Sequence, residues 1–91
     1  MINPFISIDQ QLEDAGWKKY FDNDKGFKYV LKIGVDVYQL AEFRGNGIRF
    51  YDDTIIGHYY DSIEVDEKTL ELFAAKIKEW RKRYGRPDKI K

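Results

Sequence analysis

The side chains that carry most enzyme chemistry are scarce in this sequence of 91 residues. It has one histidine, His58, and no cysteine, which excludes disulfides, thiolate metal sites and a cysteine nucleophile. A histidine metal site normally uses more than one imidazole, and a hydroxyl nucleophile needs a base within reach. No Gly-Xaa-Ser-Xaa-Gly motif occurs. The sequence therefore predicts a protein that is not an enzyme, with His58 on an ordinary strand face.

Carboxylates are plentiful, and two groups of them invite a metal-binding interpretation. Asp22-Xaa-Asp24-Xaa-Gly26 begins like a calcium loop, but such a loop needs a glutamate at its twelfth position, where this chain has Ile33. A turn explains those residues better. The other group matches no metal-ligand spacing: Asp52, Asp53, Asp61 and Glu64. We predict neither a metal nor a small-molecule cofactor.

Charge is strongly segregated along the chain, although 16 Lys and Arg balance 16 Asp and Glu. Residues 76–91 hold eight basic and two acidic side chains, a surplus of six positive charges. Residues 1–75 hold eight basic and fourteen acidic ones, a surplus of six negative charges. The stretch 51–67 contains six acids and no Lys or Arg. Such asymmetry can indicate an interaction tail.

The basic C-terminal end has two explanations. Projected on a helix at about 100° per residue, the cations of 76–83, Lys76 included, surround the exposed side and form no single stripe. That pattern is typical of a solvated helix end, where cations also suit the helix dipole. The cations beyond the helix need another explanation, so nucleic-acid binding remains the alternative. Its candidate residues are Arg83, Arg86, Lys89 and Lys91.

Tyrosines beside acids form a second candidate surface. Adjacent strand residues face opposite sides of a sheet, so one of Tyr59 and Tyr60 packs inside and the other faces water or a partner. The sequence leaves open which one does so. Tyr51 can join the outward tyrosine in an interaction patch, because tyrosine is enriched at interfaces. A half-buried tyrosine on an open sheet face is the simpler alternative. The flanking acids are Asp52, Asp53 and Asp61.

Helix signals stand near both ends of the chain. Ser7-Ile8-Asp9-Gln10 is typical of a capping box, and Gly16 can end a helix, which together predict a short helix over 8–15. Asp66 can cap a longer helix to about Arg83, and Gly85 with Pro87 stops it. Its apolar residues recur at spacings of three and four and predict one buried seam: Leu70, Phe73, Ile77, Trp80 and Tyr84.

Strand signals fill the middle of the chain. Apolar or alternating runs predict strands over 17–21, 27–33, 36–44 and 55–60, with turns at 22–26 and 52–54. The residues 44–47 signal a hairpin between the third run and the segment after it. A Gly45-Asn46 loop pairs Glu42 with Arg49, whereas the competing loop would set two arginines opposite each other. We predict the register with the opposite charges.

These elements predict one α+β domain over residues 1–85, followed by a basic tail over 86–91. Four to five antiparallel strands form the sheet, and a short N-terminal helix and a longer C-terminal helix pack on one face of it.

The opening segment and the order of elements carry a family resemblance. Leu12-Glu13-Asp14-Ala15-Gly16-Trp17-Lys18-Lys19, followed by aromatic strands and an amphipathic helix ending in Trp80, resembles small uncharacterised proteins of phages and mobile elements in Gram-positive bacteria. The resemblance covers most of the chain as a layout and about eight residues as a motif. It implies a cytosolic accessory protein and transfers no catalytic residues.

We therefore expect a small non-enzymatic protein that binds a host or element-encoded macromolecule, in the first place a protein, and that can act as an inhibitor. A nucleic-acid-associated module that uses the basic end is the alternative. No window approaches the roughly 20 apolar residues of a membrane span, and the N-terminus is not that of a signal peptide. We expect a cytoplasmic protein with no membrane partner, and the charge asymmetry allows a weak homodimer.

Overall fold

The chain forms a five-stranded antiparallel sheet with two helices on one of its faces. The computed structural model describes residues 2–54, 59–61 and 64–85. The strands are adjacent in chain order, so every connection between neighbours is direct. The predicted α+β architecture is confirmed. The elements are α1 (Ile8–Asp14), β1 (Lys18–Asn23), β2 (Gly26–Gly34), β3 (Val37–Phe43), β4 (Ile48–Thr54), β5 (Tyr59–Asp61) and α2 (Glu67–Tyr84).

Both helices begin at the side-chain caps that the sequence predicts. Ser7 Oγ accepts a hydrogen bond from the Gln10 amide at 3.1 Å, and Asp66 Oδ1 accepts one from the Thr69 amide at 2.7 Å. Each bond satisfies an amide that the helix itself leaves without a partner. Only half of the predicted capping box forms, because the Gln10 side chain donates to Asp14 at 2.9 Å and does not reach back to the cap.

The β3–β4 hairpin has the predicted register. Glu42 lies opposite Arg49, with Ala41 opposite Phe50 and Phe43 opposite Ile48. Gly45 has φ +99°, a left-handed conformation that glycine adopts without the strain of a side chain. The prediction from opposite cross-strand charges is therefore confirmed.

Strand β4 is longer than the sequence indicates. The predicted turn at Asp52-Asp53-Thr54 is wrong, because these residues pair with Gln39, Tyr38 and Val37 of β3. Ladder hydrogen bonds along the whole of β3 outweigh the turn preference of two aspartates. Of the strand predicted over 55–60, residues 55–58 lie outside the described chain, and Tyr59–Asp61 form β5.

The core lies between the helices and one face of the sheet. Aromatic rings dominate it, and Phe73 of α2 lies within 5.0–6.1 Å of the rings of Trp17, Phe27, Tyr29 and Phe50, measured between centroids. Such contacts between offset or edge-on rings add to the stabilisation from apolar burial. The buried cluster comprises Leu12, Trp17, Phe27, Tyr29, Ala41, Phe43, Leu72, Phe73 and Trp80.

Helix α2 is rotated from the orientation that the apolar seam predicts. Phe73 and Trp80 are buried as expected, but Leu70 is 48% exposed. Leu72 and Lys76, both outside the predicted seam, are each 1% exposed. The predictions that Leu70 belongs to the core and that Lys76 is solvated are therefore wrong. The physical reason is a pair of aspartates that face Lys76 from other elements.

A bulge in β1 sets the direction of its side chains. Lys19 pairs with Tyr29 and Asp22 pairs with Phe27, and the register shifts between Lys19 and Phe21. In a regular strand, residues three apart face opposite sides of the sheet. The extra residue, Tyr20, places both Lys19 and Asp22 on the side of the helices.

Candidate functional site

A buried ammonium group joins the two helices to the sheet. Lys76 Nζ lies 2.8 Å from Asp9 Oδ1 and 2.7 Å from Asp22 Oδ2, and the Lys76 side chain is 1% exposed. The Tyr29 hydroxyl donates to Asp9 Oδ1 at 2.8 Å. We call these four residues the Lys76 cluster. It draws one residue from each of α1, β1, β2 and α2.

Contacts within the Lys76 cluster shift the pKa values of Asp9, Lys76 and Tyr29. Burial alone would raise the pKa of Asp9, but hydrogen bonds from Lys76 and Tyr29 outweigh it and lower that pKa to about 2. Burial would lower the pKa of Lys76, but its bonds to Asp22 and Asp9 raise it well above the ordinary value. Burial and the bond to Asp9 raise the pKa of Tyr29. A charged lysine is neither a base nor a nucleophile, so the shown role of these contacts is to link the two helices to the sheet.

Two further cations lie at the edge of the cluster. Lys19 Nζ is 3.2 Å from Asp9 Oδ2, and Arg83 Nη1 is 3.7 Å from Asp22 Oδ2. The Arg83 side chain is 54% exposed, so its attraction to Asp22 is partly screened by water. Arg83, a predicted interaction residue, thus faces a carboxylate of its own chain.

A groove of about 550 Å³ lies beside this cluster, between α1 and β1. Asp9, Lys19 and Tyr29 line it, and all three hydrogen-bond one another through Asp9. A partner at this groove would compete with contacts that hold the fold together. The groove is therefore the weaker candidate for a binding surface.

The sheet face opposite the helices offers a second surface, which we call the open face. Its side chains form three rows across β2, β3 and β4, because residues paired in register share a face. Lys18 of β1 pairs with Val30 and belongs to the middle row. The rows are Lys28–Glu42–Arg49, Val30–Leu40–Tyr51 and Lys32–Tyr38–Asp53.

Tyr51, predicted as an interaction residue, lies on the open face but is only 6% exposed. Its hydroxyl donates to Glu42 Oε1 at 3.0 Å, and the Arg49 guanidinium lies 4.8 Å from its ring centroid. Burial would raise the pKa of Glu42, but the bonds from Tyr51 and Arg44 lower it overall. Neighbouring side chains cover most of the Tyr51 ring, and its contact with a partner stays a prediction.

A groove of about 300 Å³ runs across the open face. Its walls include Tyr20, which is 70% exposed, and Lys28, whose Nζ lies 5.2 Å from the centroid of the Tyr20 ring. An exposed aromatic ring with an adjacent cation is a typical component of a protein interface. The groove is lined by Tyr20, Lys28, Val30, Tyr38, Leu40 and Asp53.

The charges of the open face are incompletely paired. Among the described residues, no carboxylate lies within 4.0 Å of the ammonium groups of Lys18, Lys28 or Lys32. Asp53 Oδ1 is buried and has no hydrogen-bond partner in the same part of the chain. A buried acceptor without a donor is unfavourable for the fold, while the Asp53 carboxylate as a whole is only half-buried and lines the groove.

The predicted acidic surface is divided between the two sheet faces. Asp52 pairs with Gln39 on the side of the helices, whereas Asp53 pairs with Tyr38 on the open face, so the two acids do not form one patch. In β5, the backbones of Tyr59, Tyr60 and Asp61 pair with Asp53, Asp52 and Tyr51. The side chains of these three β5 residues lie outside the described part of the chain. Which of Tyr59 and Tyr60 faces outward therefore stays open. His58, Arg86, Lys89 and Lys91 also lie outside the described part of the chain.

The sequence analysis missed the residues that shape the open-face groove. Lys28, Val30 and Lys32 alternate with the core residues of β2, and this alternation was the signal that could have marked them as one face. Tyr20 could not be placed in the same way, because its position depends on the bulge.

Within the described chain, no group of three or more His, Asp or Glu side chains is arranged to hold a metal ion. Over the same residues, no helix combines the length and the apolar composition of a membrane span. Comparison with protein-family models, curated proteins and solved structures finds no match to this chain.

Proposed function

We propose that this protein is a small non-enzymatic interaction protein, which binds a partner protein through the open face of its sheet. One observation carries the proposal: the open face has an exposed tyrosine, Tyr20, beside a groove and next to cations without carboxylate partners in the described chain. An exposed ring beside a groove and next to a lysine with no carboxylate within 4.0 Å in the described chain is typical of a surface that binds a partner.

The resemblance of the opening segment to small phage and mobile-element proteins supports a proposal about the protein's origin and cellular location. We place it in the cytoplasm as an accessory protein of a phage or mobile element, where binding to a host or element-encoded protein can inhibit that partner. The contacts of the Lys76 cluster support a role in stability for the one buried lysine in the described chain, and not a role in catalysis.

Nucleic-acid binding through the basic helix end receives less support. Lys76 is buried between two aspartates, and Arg83 faces Asp22. The Arg81 guanidinium lies 5.9 Å from the ring centroid of Phe43. Burial removes Lys76 from the cations that a phosphate backbone would meet, and the exposed Arg81 and Arg83 already have contacts within their own chain.

Site-specific photo-crosslinking tests the proposal. A benzophenone amino acid replaces Tyr20 in one variant and Phe5 in a control variant, since Phe5 is 94% exposed and belongs to the segment before α1. Both variants are expressed in the native host, irradiated, purified and analysed by mass spectrometry. We expect one discrete protein adduct from position 20 and none of the same mass from position 5. Equal crosslinking at both positions, or none at position 20, would contradict the proposal.

A further inference from the structure

The open-face groove has a defined polarity that restricts what it can bind. Lys28 lies in the first row of the open face, on β2, and Asp53 lies in the third row, on β4. Both line the groove. At about 3.3 Å per residue along a strand and about 4.8 Å between strands, four residues and two strands separate them by about 16 Å. A cation and an anion therefore mark opposite ends of one groove.

The middle of the groove is apolar. Val30 and Leu40 form its floor between the rings of Tyr20 and Tyr38, and Leu40 is 7% exposed. A floor of this kind favours an apolar side chain, because burying it there removes hydrocarbon surface of both molecules from water. Tyrosine walls add contact area at a low cost in conformational entropy.

We infer that the groove binds an extended segment of about five residues from the partner protein, with an acidic residue at one end, an apolar residue in the middle and a Lys or Arg at the other end. This inference rests on the proposed function. The acidic residue would face Lys28, with Lys18 in the adjacent middle row on the same side of the sheet, whereas Lys32 lies in the third row with Asp53. The basic residue would face the half-buried carboxylate of Asp53, which lines the other end of the groove.

The same charges argue against a nucleic acid in this groove. A single strand would stack a base on the ring of Tyr20 and place a phosphate beside Lys28. It would also bring a negative charge at every nucleotide, including the end of the groove that Asp53 lines. A peptide with one acidic and one basic end meets a complementary charge at both ends.

Selection from a random heptapeptide display library on the full-length protein tests the inference. Enriched peptides are synthesised with a fluorescent label and titrated by fluorescence anisotropy against the wild type, Tyr20→Ala, Lys28→Gln and Asp53→Asn. The control is Lys78→Gln, an exposed lysine of α2 on the other side of the molecule. Circular dichroism melting curves establish that each variant is folded.

We expect enriched peptides that place an acidic and a basic residue on either side of an apolar one. Lys28→Gln, Asp53→Asn and Tyr20→Ala should each raise Kd at least fivefold, while Lys78→Gln changes it less than twofold. Peptides without this pattern, or with equal affinity for the variants, would overturn the inference. So would tighter binding of a labelled 20-nucleotide single-stranded DNA that Asp53→Asn leaves unchanged. If these results occur while Tyr20 still crosslinks a host protein, the proposed function stands and only the charge pattern fails.

Discussion

At the scale of single residues, the largest departure from the sequence analysis is Lys76. A helical projection gives the angle of a side chain but not its partners, and Lys76 lies close to the boundary between the buried and exposed sides. Its partners come from residues 9 and 22, which only the tertiary structure brings to α2. No local pattern in the sequence joins three positions so far apart, so this contact could not be predicted from spacing.

Removal of the buried ammonium group should be costly. In Lys76→Met, the side chain keeps its apolar length, but Asp9 and Asp22 lose their shared cation, and the Asp22 side chain is only 5% exposed. Breaking one side of a buried ion pair typically costs about 3–5 kcal/mol. We expect a loss of that order in the free energy of unfolding, measured with urea. The exposed control Lys78→Met should lose less than about 0.5 kcal/mol. Equal stability of the two variants would show that Lys76 is solvated.

Asp9 predicts a specific response to acid. Its folded-state pKa of about 2 lies below its ordinary value of 3.8, so its contribution to stability is present above pH 4 and is lost as pH falls towards 2. Because the side chain is 36% exposed, solvent screening reduces this contribution to the order of 1 kcal/mol. We expect the wild type to lose stability between pH 4 and pH 2 more steeply than Asp9→Asn, in urea titrations at each pH. Parallel curves would contradict this role of Asp9.

At the scale of elements, predictions succeeded where neighbouring residues carry the information and failed where distant ones do. The caps of both helices depend on residues within three positions, and the hairpin register depends on facing charges eight or fewer residues apart. The extension of β4 and the bulge of β1 depend on the partner strand. The bulge matters most, because it directs Asp22 towards Lys76 and leaves Tyr20 on the edge of the open-face groove.

The rotation of α2 gives a test at the same scale. Trp80 is 7% exposed, packs against Phe43 with ring centroids 5.1 Å apart, and donates to the Asn23 carbonyl at 2.7 Å. Trp80→Ala should therefore cost about 3–5 kcal/mol of unfolding free energy. Leu70→Ala should cost less than about 1 kcal/mol, since Leu70 is 48% exposed. If the predicted seam were buried as a whole, Leu70→Ala and Trp80→Ala would lose comparable unfolding free energy. A large loss in Leu70→Ala would therefore show that Leu70 is buried and would contradict the rotation of α2.

At the scale of the whole molecule, the zero net charge conceals two opposed halves. Residues 1–75 carry six excess negative charges and residues 76–91 six excess positive ones. The fold already neutralises part of this difference internally, through Lys76 with Asp9 and Asp22. On the open face, Glu42 and Asp53 lie in the same rows as Lys28 and Lys32. These carboxylates would repel the phosphates of a long polyanion within a Debye length of about 10 Å at 0.1 M salt.

The same balance of charge predicts how the basic C-terminal end, residues 76–91, responds to nucleic acid. If the basic end 76–91 bound nucleic acid with four to six phosphate contacts, log K would fall with log salt at about −0.9 per contact, and binding would be strong at 50 mM salt. We expect weak binding or none to DNA and RNA in electrophoretic shift assays at that salt concentration, because the acids of residues 1–75 repel the phosphates. We expect deletion of 86–91 to alter self-association instead, measured by sedimentation velocity, because the opposite charges of 86–91 and 51–67 attract each other within one molecule or between two. Micromolar nucleic-acid binding that disappears on deletion, with self-association unchanged, would make the basic end the functional surface.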